Sequence, residues 1–443
     1  VFLHLGVIAI CIISVLAIWA VQKKKSNMTL IYIIYFIGYI IECAFMDGAP
    51  LEIADFFGIS YQIADVFLIV PAVDLLITLC KEPKRIFNRY NTGIIVLAVM
   101  LVMSMVAGLI QLGFNSNWVG DIRTMFRFIF LIFWFAINYE ESDVWKYKRL
   151  IDIVMLGVIV LSCVIWIMDL GFDYRPLLSQ ISGTYSDGGS SMRFIHAGAI
   201  LVIAIYDLLL MNRDIETKGY VGIWTIILGV EVILFQHRSV WLAWGMGVIV
   251  TLLSTYIREK KHPQLTKQVL TGGCAGVIVL VLGSGKIVQK FRQIWIVIFG
   301  VLNGTIDINT TLGVRVTGWV SDLKSFSMLE WIFGRPFGSE YDLCFGDAMV
   351  SPHNGYVRLL QRTGLIGLSV FLIVLIMILS WCIRNKATCL MASTICILVF
   401  MMAYDFTEIC GIVIGIGLMM RQEYLKSLLK SQTEMSKQEC ENL

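Results

Sequence analysis

The stretch GLIGLSVFLIVLIMILSWCI, residues 364–383, contains twenty residues and no charged side chain. Two basic residues, Arg384 and Lys386, follow almost at once. A helix of about 20 apolar residues is long enough to cross the hydrocarbon core of a bilayer. This stretch therefore predicts a membrane-spanning helix, and it sets the class to which we assign the protein.

The composition of the whole chain has the same character. Of the 443 residues, 58% are hydrophobic and 15% are charged, and the formal net charge is +3. Soluble domains carry about 25% charged residues, so a water-soluble fold is excluded. The small net charge provides no polybasic face, so nucleic acid is not an expected partner. The apolar runs are continuous instead of alternating. We therefore expect an all-α polytopic membrane protein that lies in a lipid bilayer.

Apolar runs of the required length predict about 12–13 transmembrane helices. We expect 1–283 to hold the N-terminal transmembrane helices, 284–355 a long extracytoplasmic loop, 356–422 the C-terminal transmembrane helices and 423–443 a cytoplasmic tail. The loop is expected to contain short amphipathic helices on the membrane surface. The predicted spans are 2–21, 28–46, 60–80, 93–113, 122–139, 150–170, 193–211, 220–236, 239–257, 267–283, 363–383, 387–404 and 407–420.

The distribution of Lys and Arg predicts the side on which each connection lies. Every second connection is basic, and the positive-inside rule places these connections in the cytoplasm. The N-terminus and the connections 47–60, 114–121, 171–192, 284–355 and 405–407 are then outside. Three glycines in the last span, Gly411, Gly415 and Gly417, are expected to serve helix packing.

Several arginines are predicted at the outer face, where this rule would not put them. Ionisable groups at membrane depth are costly and usually functional. Structural ion pairs with acids at the same level are the alternative for any single arginine. The guanidinium fork suits phosphate oxygens, so the group as a whole suggests a lipid-linked phosphate or pyrophosphate ligand. These arginines are Arg123, Arg127, Arg193, Arg238, Arg315, Arg335, Arg358 and Arg362, and the acids are Glu42, Asp65, Asp169, Glu231, Asp405 and Glu408.

The segment before the span at 363–383 contains a candidate general base. Pro352 ends whatever precedes it, so His353 and Asn354 are predicted at the start of a helix. Histidine accepts a proton near neutral pH, and a helix N-terminus disfavours its charged form. A polar residue at the membrane interface is the alternative interpretation of His353.

The same segment carries a family resemblance. His-Asn-Gly-Tyr at 353–356, an amphipathic stretch and Gly-Leu-Ile-Gly at 364–367 resemble the C-terminal signature of the O-antigen ligase and O-antigen or capsule polymerase family. QHRSVWLA at 236–243, RVTGW at 315–319 and WIFGRPFG at 331–338 resemble three further family segments, in order. Arg362 stands where the family often has an acid, and 183–190 lacks the common Asn-Pro-Asn.

The resemblance implies a metal-independent glycosyltransferase with no cofactor, in the bacterial cytoplasmic membrane, with its site facing the periplasm or exterior. The donor would be an oligosaccharide on undecaprenyl pyrophosphate, and the acceptor a saccharide hydroxyl. Arg238 and Arg315 would hold the pyrophosphate, and His353 would accept the acceptor proton, with inversion at the anomeric carbon. The further implied substrate contacts are Arg193, Arg123, Arg127, Asn354, Tyr356, Arg358 and Trp319.

The sequence leaves three functions open. A polymerase of surface polysaccharide is favoured because a composition with many Ile and Lys and few Pro suggests a host without lipid A. A ligase that transfers the glycan to lipid A core uses the same chemistry. A flippase or other transporter of lipid-linked oligosaccharide belongs to another class, and it would be expected to show internal repeats. A chain-length regulator is a further candidate partner.

Overall fold

Helices account for most of the secondary structure. The computed structural model of the chain describes residues 52–56, 59–88, 91–138, 145, 148–171, 197–235, 237–258, 264–271, 311–341, 344–345, 348–349 and 352–441. The first two predicted spans and most of the tenth lie outside these residues.

The elements are numbered here in chain order. The strands are β1 (Glu52–Phe56), β2 (Ile59–Gln62), β3 (Cys344–Phe345) and β4 (Ala348–Met349). The helices are α1 (Ile63–Lys81), α2 (Pro83–Ile86), α3 (Thr92–Leu112), α4 (Ser116–Asn138), α5 (Lys148–Gly171), α6 (Ala197–Lys218), α7 (Ile223–Leu234), α8 (Arg238–Arg258), α9 (Thr311–Lys324), α10 (Met328–Phe333), α11 (Gly355–Asn385), α12 (Thr388–Met401) and α13 (Glu408–Glu441). Residues 264–271 are also helical.

Each predicted span that falls on described residues contains a helix, although 60–62 belong to strand β2 and α13 continues from the predicted span end at 420 to Glu441. Helix α3, for example, begins and ends one residue earlier than the predicted span 93–113. Among the described residues, three segments are long and apolar enough to cross a membrane: Thr92–Leu112, Ser239–Ile257 and Gly355–Asn385. The predominantly helical class and these membrane-spanning candidates are confirmed, and the count of 12–13 spans stays a prediction.

Among the residues that the structure describes, two short antiparallel hairpins depart from the all-helical expectation. Strands β1 and β2 pair Glu52 with Gln62 and Phe56 with Ile59, and the two-residue strands β3 and β4 pair with each other. Both hairpins lie at or near connections between predicted spans. Apolar run length predicts spans and carries no information on local strand pairing in such connections.

Small residues let α13 lie directly against α4. A Cβ added at Gly411 would lie 2.7 Å from the Phe128 carbonyl oxygen, and one at Gly415 would lie 2.6 Å from that of Ile132. At Gly417 the added Cβ would meet a side chain of α11 at 2.8 Å. The predicted packing role of these glycines is confirmed.

Helix α11 is broken where the predicted span begins. Gly364 adopts φ +63° and ψ −168°, so 355–363 form a short helix ahead of the apolar one. A Cβ at Gly364 would lie 2.2 Å from the Ile332 carbonyl oxygen of α10. The Arg335 amide donates to the Gln361 carbonyl at 2.5 Å. Glycine is therefore required at this position, both for its positive φ and for the close approach of α10.

The segment after α10 inserts into the helical bundle. Phe337 is fully buried, and its amide donates to the Ser104 carbonyl of α3 at 3.2 Å. The hydroxyl of Ser104 donates to the Arg335 carbonyl at 3.1 Å. This part of the long loop is thus fastened to the bundle by buried contacts and does not form a separate layer.

Connections predicted on the same side of the membrane contact each other. At one end of the bundle Arg358 contacts both Asp121 and Asp405, which join three connections predicted outside. At the opposite end Arg85 donates to the Ile137 carbonyl at 3.1 Å. The side of the membrane on which each connection lies stays a prediction.

Candidate functional site

The predicted base, His353, lies in a turn that several contacts hold. Its φ is +47°, a left-handed conformation that a non-glycine residue rarely adopts without support. The indole Nε1 of Trp319 in α9 donates to the Pro352 carbonyl at 2.6 Å. Trp319, predicted to contact substrate, therefore contacts the turn itself. The imidazole of His353 is half-buried.

Asn354 caps the helix that follows. Its side-chain oxygen accepts the amides of Tyr356 and Val357 at 3.0 and 3.1 Å, the usual N-cap arrangement. Its side-chain nitrogen donates to the Met402 carbonyl at 2.9 Å. Both ends of this amide are used within the protein, so Asn354 acts on the geometry of the His353 turn.

Arg315 projects from α9 toward the turn between α12 and α13. Its Nη1 donates to the Ala403 carbonyl at 3.1 Å, and its Nε is buried without a hydrogen-bond partner among the described residues. Within that part of the chain, no carboxylate lies in ion-pair range of Arg315. Burial lowers the pKa of this guanidinium, and the Tyr404 hydroxyl opposes that shift. The group still carries its charge at neutral pH.

Tyr404 brings three predicted segments together. Its ring centroid lies 5.9 Å from the guanidinium carbon of Arg315 and 6.4 Å from the imidazole centroid of His353, which meets it edge-on. Its hydroxyl lies 3.5 Å from Nδ1 of His237. Arg238 is the next residue after His237 and the first residue of α8, and its side chain lies outside the described part.

Arg358 and Arg362, by contrast, belong to a closed network of ion pairs around Asp121. Arg362 contacts Asp121 at 2.8 Å and Arg358 contacts it at 3.2 Å. Asp121 also accepts the Tyr341 hydroxyl at 2.5 Å, and Arg358 has a second carboxylate in Asp405. Arg358, predicted as a substrate contact, is thus buried and paired with two acids. This arrangement corresponds to the structural alternative weighed for each single arginine.

Of the remaining predicted arginines, two have acid partners and one lies outside the described residues. Arg127 contacts Glu408 of α13 at 3.4 Å, so it also has an acid partner. Arg123 lies one turn before it in α4 and is half-buried. Arg335 contacts Glu330 at 3.1 Å. Arg193 lies outside the described residues.

Tyr356 is used in packing between helices. Its hydroxyl donates to the Leu398 carbonyl of α12 at 3.0 Å, and its ring is half-buried. This contact fixes the first turn of α11 against α12. Tyr356 therefore supports the segment that carries His353.

The short helix α10 has its own electrostatic anchor. Ser327 and Glu330 form a capping box, in which each side chain accepts the other residue's backbone amide. Burial acts to raise the pKa of Glu330, but the hydrogen bonds from Ser327 and the charge of Arg335 outweigh it, so the pKa lies below its usual value. This anchor orients the segment that inserts Phe337 into the bundle.

Sequence reasoning missed Tyr404. It ends the predicted span 387–404 and precedes Asp405, one of the acids predicted at the outer level. That position is the only signal of Tyr404 in the sequence. The signal is weak, because tyrosine is common at span ends as an interfacial anchor.

Among the described residues, no group of three or more His, Cys, Asp or Glu side chains is arranged to hold a metal ion.

Comparisons with known proteins do not assign the chain. Neither a scan against protein-family models nor a search of curated proteins found a match. The resemblance described above therefore depends on the motifs at 236–243, 315–319, 331–338 and 353–367, three of which contribute residues to the contacts around Tyr404.

Proposed function

We propose that the chain is a membrane glycosyltransferase that polymerises bacterial surface polysaccharide. It would transfer a glycan from undecaprenyl pyrophosphate to a saccharide hydroxyl on the outer side of the cytoplasmic membrane. The motifs at 353–356 and 315–319 suggest this chemistry, and the contacts of Arg315 are the observation that supports it most.

Arg315 differs from the other arginines at this end of the bundle. Among the described residues, Arg127, Arg358 and Arg362 each have a carboxylate within 3.4 Å of the guanidinium group. Within the same part of the chain, Arg315 contacts one backbone carbonyl and an aromatic ring, and no carboxylate. A partly buried cation without an acid is costly unless an anion joins it. Phosphate oxygens match the unused edge of its fork.

The proposed base lies beside this cation. Arg315 and His353 contact the same ring of Tyr404, so an anion bound at Arg315 would lie near the imidazole. In the proposed step His353 accepts the proton of the acceptor hydroxyl, whose oxygen forms a bond to the anomeric carbon. The bond from that carbon to the pyrophosphate oxygen breaks, and the leaving group keeps the electron pair. Arg315 would stabilise the charge that develops there.

Reconstitution with a lipid-linked repeat unit tests this proposal. Removal of a general base typically costs about 10²–10⁴-fold in rate, and removal of one charge-stabilising donor about 10²–10³-fold. We expect losses of these sizes for His353→Ala and Arg315→Ala. Arg384→Ala, at an exposed position at the opposite end of α11, is the matched arginine control.

The outcomes separate the candidate functions. Normal elongation by both site variants would refute the proposal. Variants that fail to elongate but still move lipid-linked glycan across the bilayer would favour a flippase. Transfer to lipid A core, with no growth of the repeat-unit polymer, would favour the ligase.

A further inference from the structure

The turn between α12 and α13 holds both sides of the proposed site. Three consecutive backbone carbonyls, at 402–404, accept hydrogen bonds from the segments that carry the proposed cation and base. A turn held in this way fixes where α9 and the start of α11 lie relative to each other. The donors are Asn354 Nδ2 to Met402 at 2.9 Å, Arg315 Nη1 to Ala403 at 3.1 Å and the Gly355 amide to Tyr404 at 3.0 Å.

The side chain of Tyr404 extends this arrangement. One face of its ring stacks on Phe400 at 5.1 Å with an interplanar angle of 11°, so the ring has a fixed support. The guanidinium of Arg315 and the edge of His353 contact the same ring. We infer that Tyr404 is a positioning residue whose ring sets the placement of Arg315 relative to His353, and that its hydroxyl orients His237.

The effect of Tyr404 on kcat rests on the proposed function, whereas its contacts with Arg315 and His353 do not. Tyr404 is not assigned contact with the reacting atoms. It acts through the two groups that touch its ring, and a misplacement of about 1 Å at a reacting centre can cost about 10²-fold in rate. The cation–π contact, within about 6 Å of the centroid, is also in the range where such interactions hold a guanidinium.

Kinetics with two substitutions separate the ring from the hydroxyl. We expect Tyr404→Leu to lower kcat for elongation about 10–100-fold, with KM for the lipid-linked donor within about 3-fold of wild type. Tyr404→Phe keeps the ring and should keep at least about a third of kcat. Tyr424→Leu is the control, since Tyr424 is an exposed ring that contacts Trp381 edge-on, at 6.3 Å between ring centroids and away from this site.

A spectroscopic measurement tests the same inference without activity. The chain has only five histidines, so labelling of the imidazole carbons gives five signals, which His353→Gln and His237→Gln assign. Tyr404→Leu should shift the signals of His353 and His237. Tyr404→Phe should shift that of His237 and leave that of His353 in place.

Each outcome decides a separate point. An unchanged kcat in Tyr404→Leu overturns the positioning role, and so does a loss of kcat in Tyr404→Phe equal to that in Tyr404→Leu. A His353 signal that does not shift in Tyr404→Leu overturns it as well. If the leucine variant does not fold, Tyr404→Phe alone remains decisive, because a large loss of kcat or a moved His353 signal contradicts the inference. If His353→Ala and Arg315→Ala elongate normally, the proposed function fails, and the imidazole signals still decide whether the ring positions His353.

Discussion

The network around Asp121 leads to a quantitative prediction for Asp121→Asn. The carboxylate is 1% exposed and contacts Arg362, 1% exposed, at 2.8 Å and Arg358, 7% exposed, at 3.2 Å. Asparagine keeps an acceptor for the Gly338 amide, which donates at 3.0 Å, but it removes the charge. Arg358 then retains Asp405, whereas Arg362 is left with two backbone carbonyls.

Loss of one partner from a buried ion pair costs about 3–5 kcal/mol. We therefore expect Asp121→Asn to lower the free energy of unfolding by at least about 3 kcal/mol. The matched control is Glu330→Gln, whose ion pair with Arg335 is partly exposed and is worth at most about 1 kcal/mol. Unfolding of the purified protein in mixed detergent micelles, titrated with a denaturing detergent, measures both.

A second substitution tests the cause of the loss. Arg362→Met replaces the stranded cation by an apolar side chain of similar length. Because the cost is that of an uncompensated buried charge, the double variant Asp121→Asn/Arg362→Met should be more stable than Asp121→Asn alone. The reasoning is refuted if Asp121→Asn costs no more than Glu330→Gln, or if the two substitutions are simply additive.

Three further results are expected. Gly415→Ala should destabilise the protein strongly, since its Cβ would lie 2.6 Å from a backbone oxygen, whereas Gly245→Ala, with nothing within 4 Å, should be neutral or stabilising in thermal unfolding; equal melting temperatures would contradict the packing role. Trp319→Phe should lower kcat for elongation about 3–10-fold, because it removes one hydrogen bond, worth about 0.5–1.5 kcal/mol, from the turn that carries the proposed base; an unchanged kcat would argue against that support. The pKa of Glu330 lies below its usual value of 4.5, so its stabilising contribution is full above about pH 4.5 and is lost as the pH falls through the folded-state value. The stability difference between wild type and Glu330→Gln should therefore be constant from pH 7 to 5 and shrink below pH 4.5, and a difference that persists at low pH would show that the charge is not its source.

Much of the helical organisation was predictable because run length and charge placement are local properties. The stretch 364–383 has the length of a span, and Arg384 and Lys386 follow it directly, so this span could be predicted without any knowledge of the helices that pack against it. The break at Gly364 was not predicted, because the positive φ and the close approach of α10 that require glycine there depend on how the long loop packs against α11. The short hairpins were not predictable either, because strand pairing depends on backbone contacts that apolar runs do not report.

The sequence by itself determined that the chain is helical and apolar and which residue types could bind an anion and accept a proton, and it predicted which connections share a side. Only the tertiary structure decided which arginines are available for that task. Arg358 and Arg315 are both outer arginines by sequence, but one lies between two carboxylates and the other lies against a carbonyl and a ring. The physical reason is that ion pairing depends on distances between segments far apart in the chain, such as Asp121 and Arg358. Charge and order along the sequence leave those distances open until the helices pack.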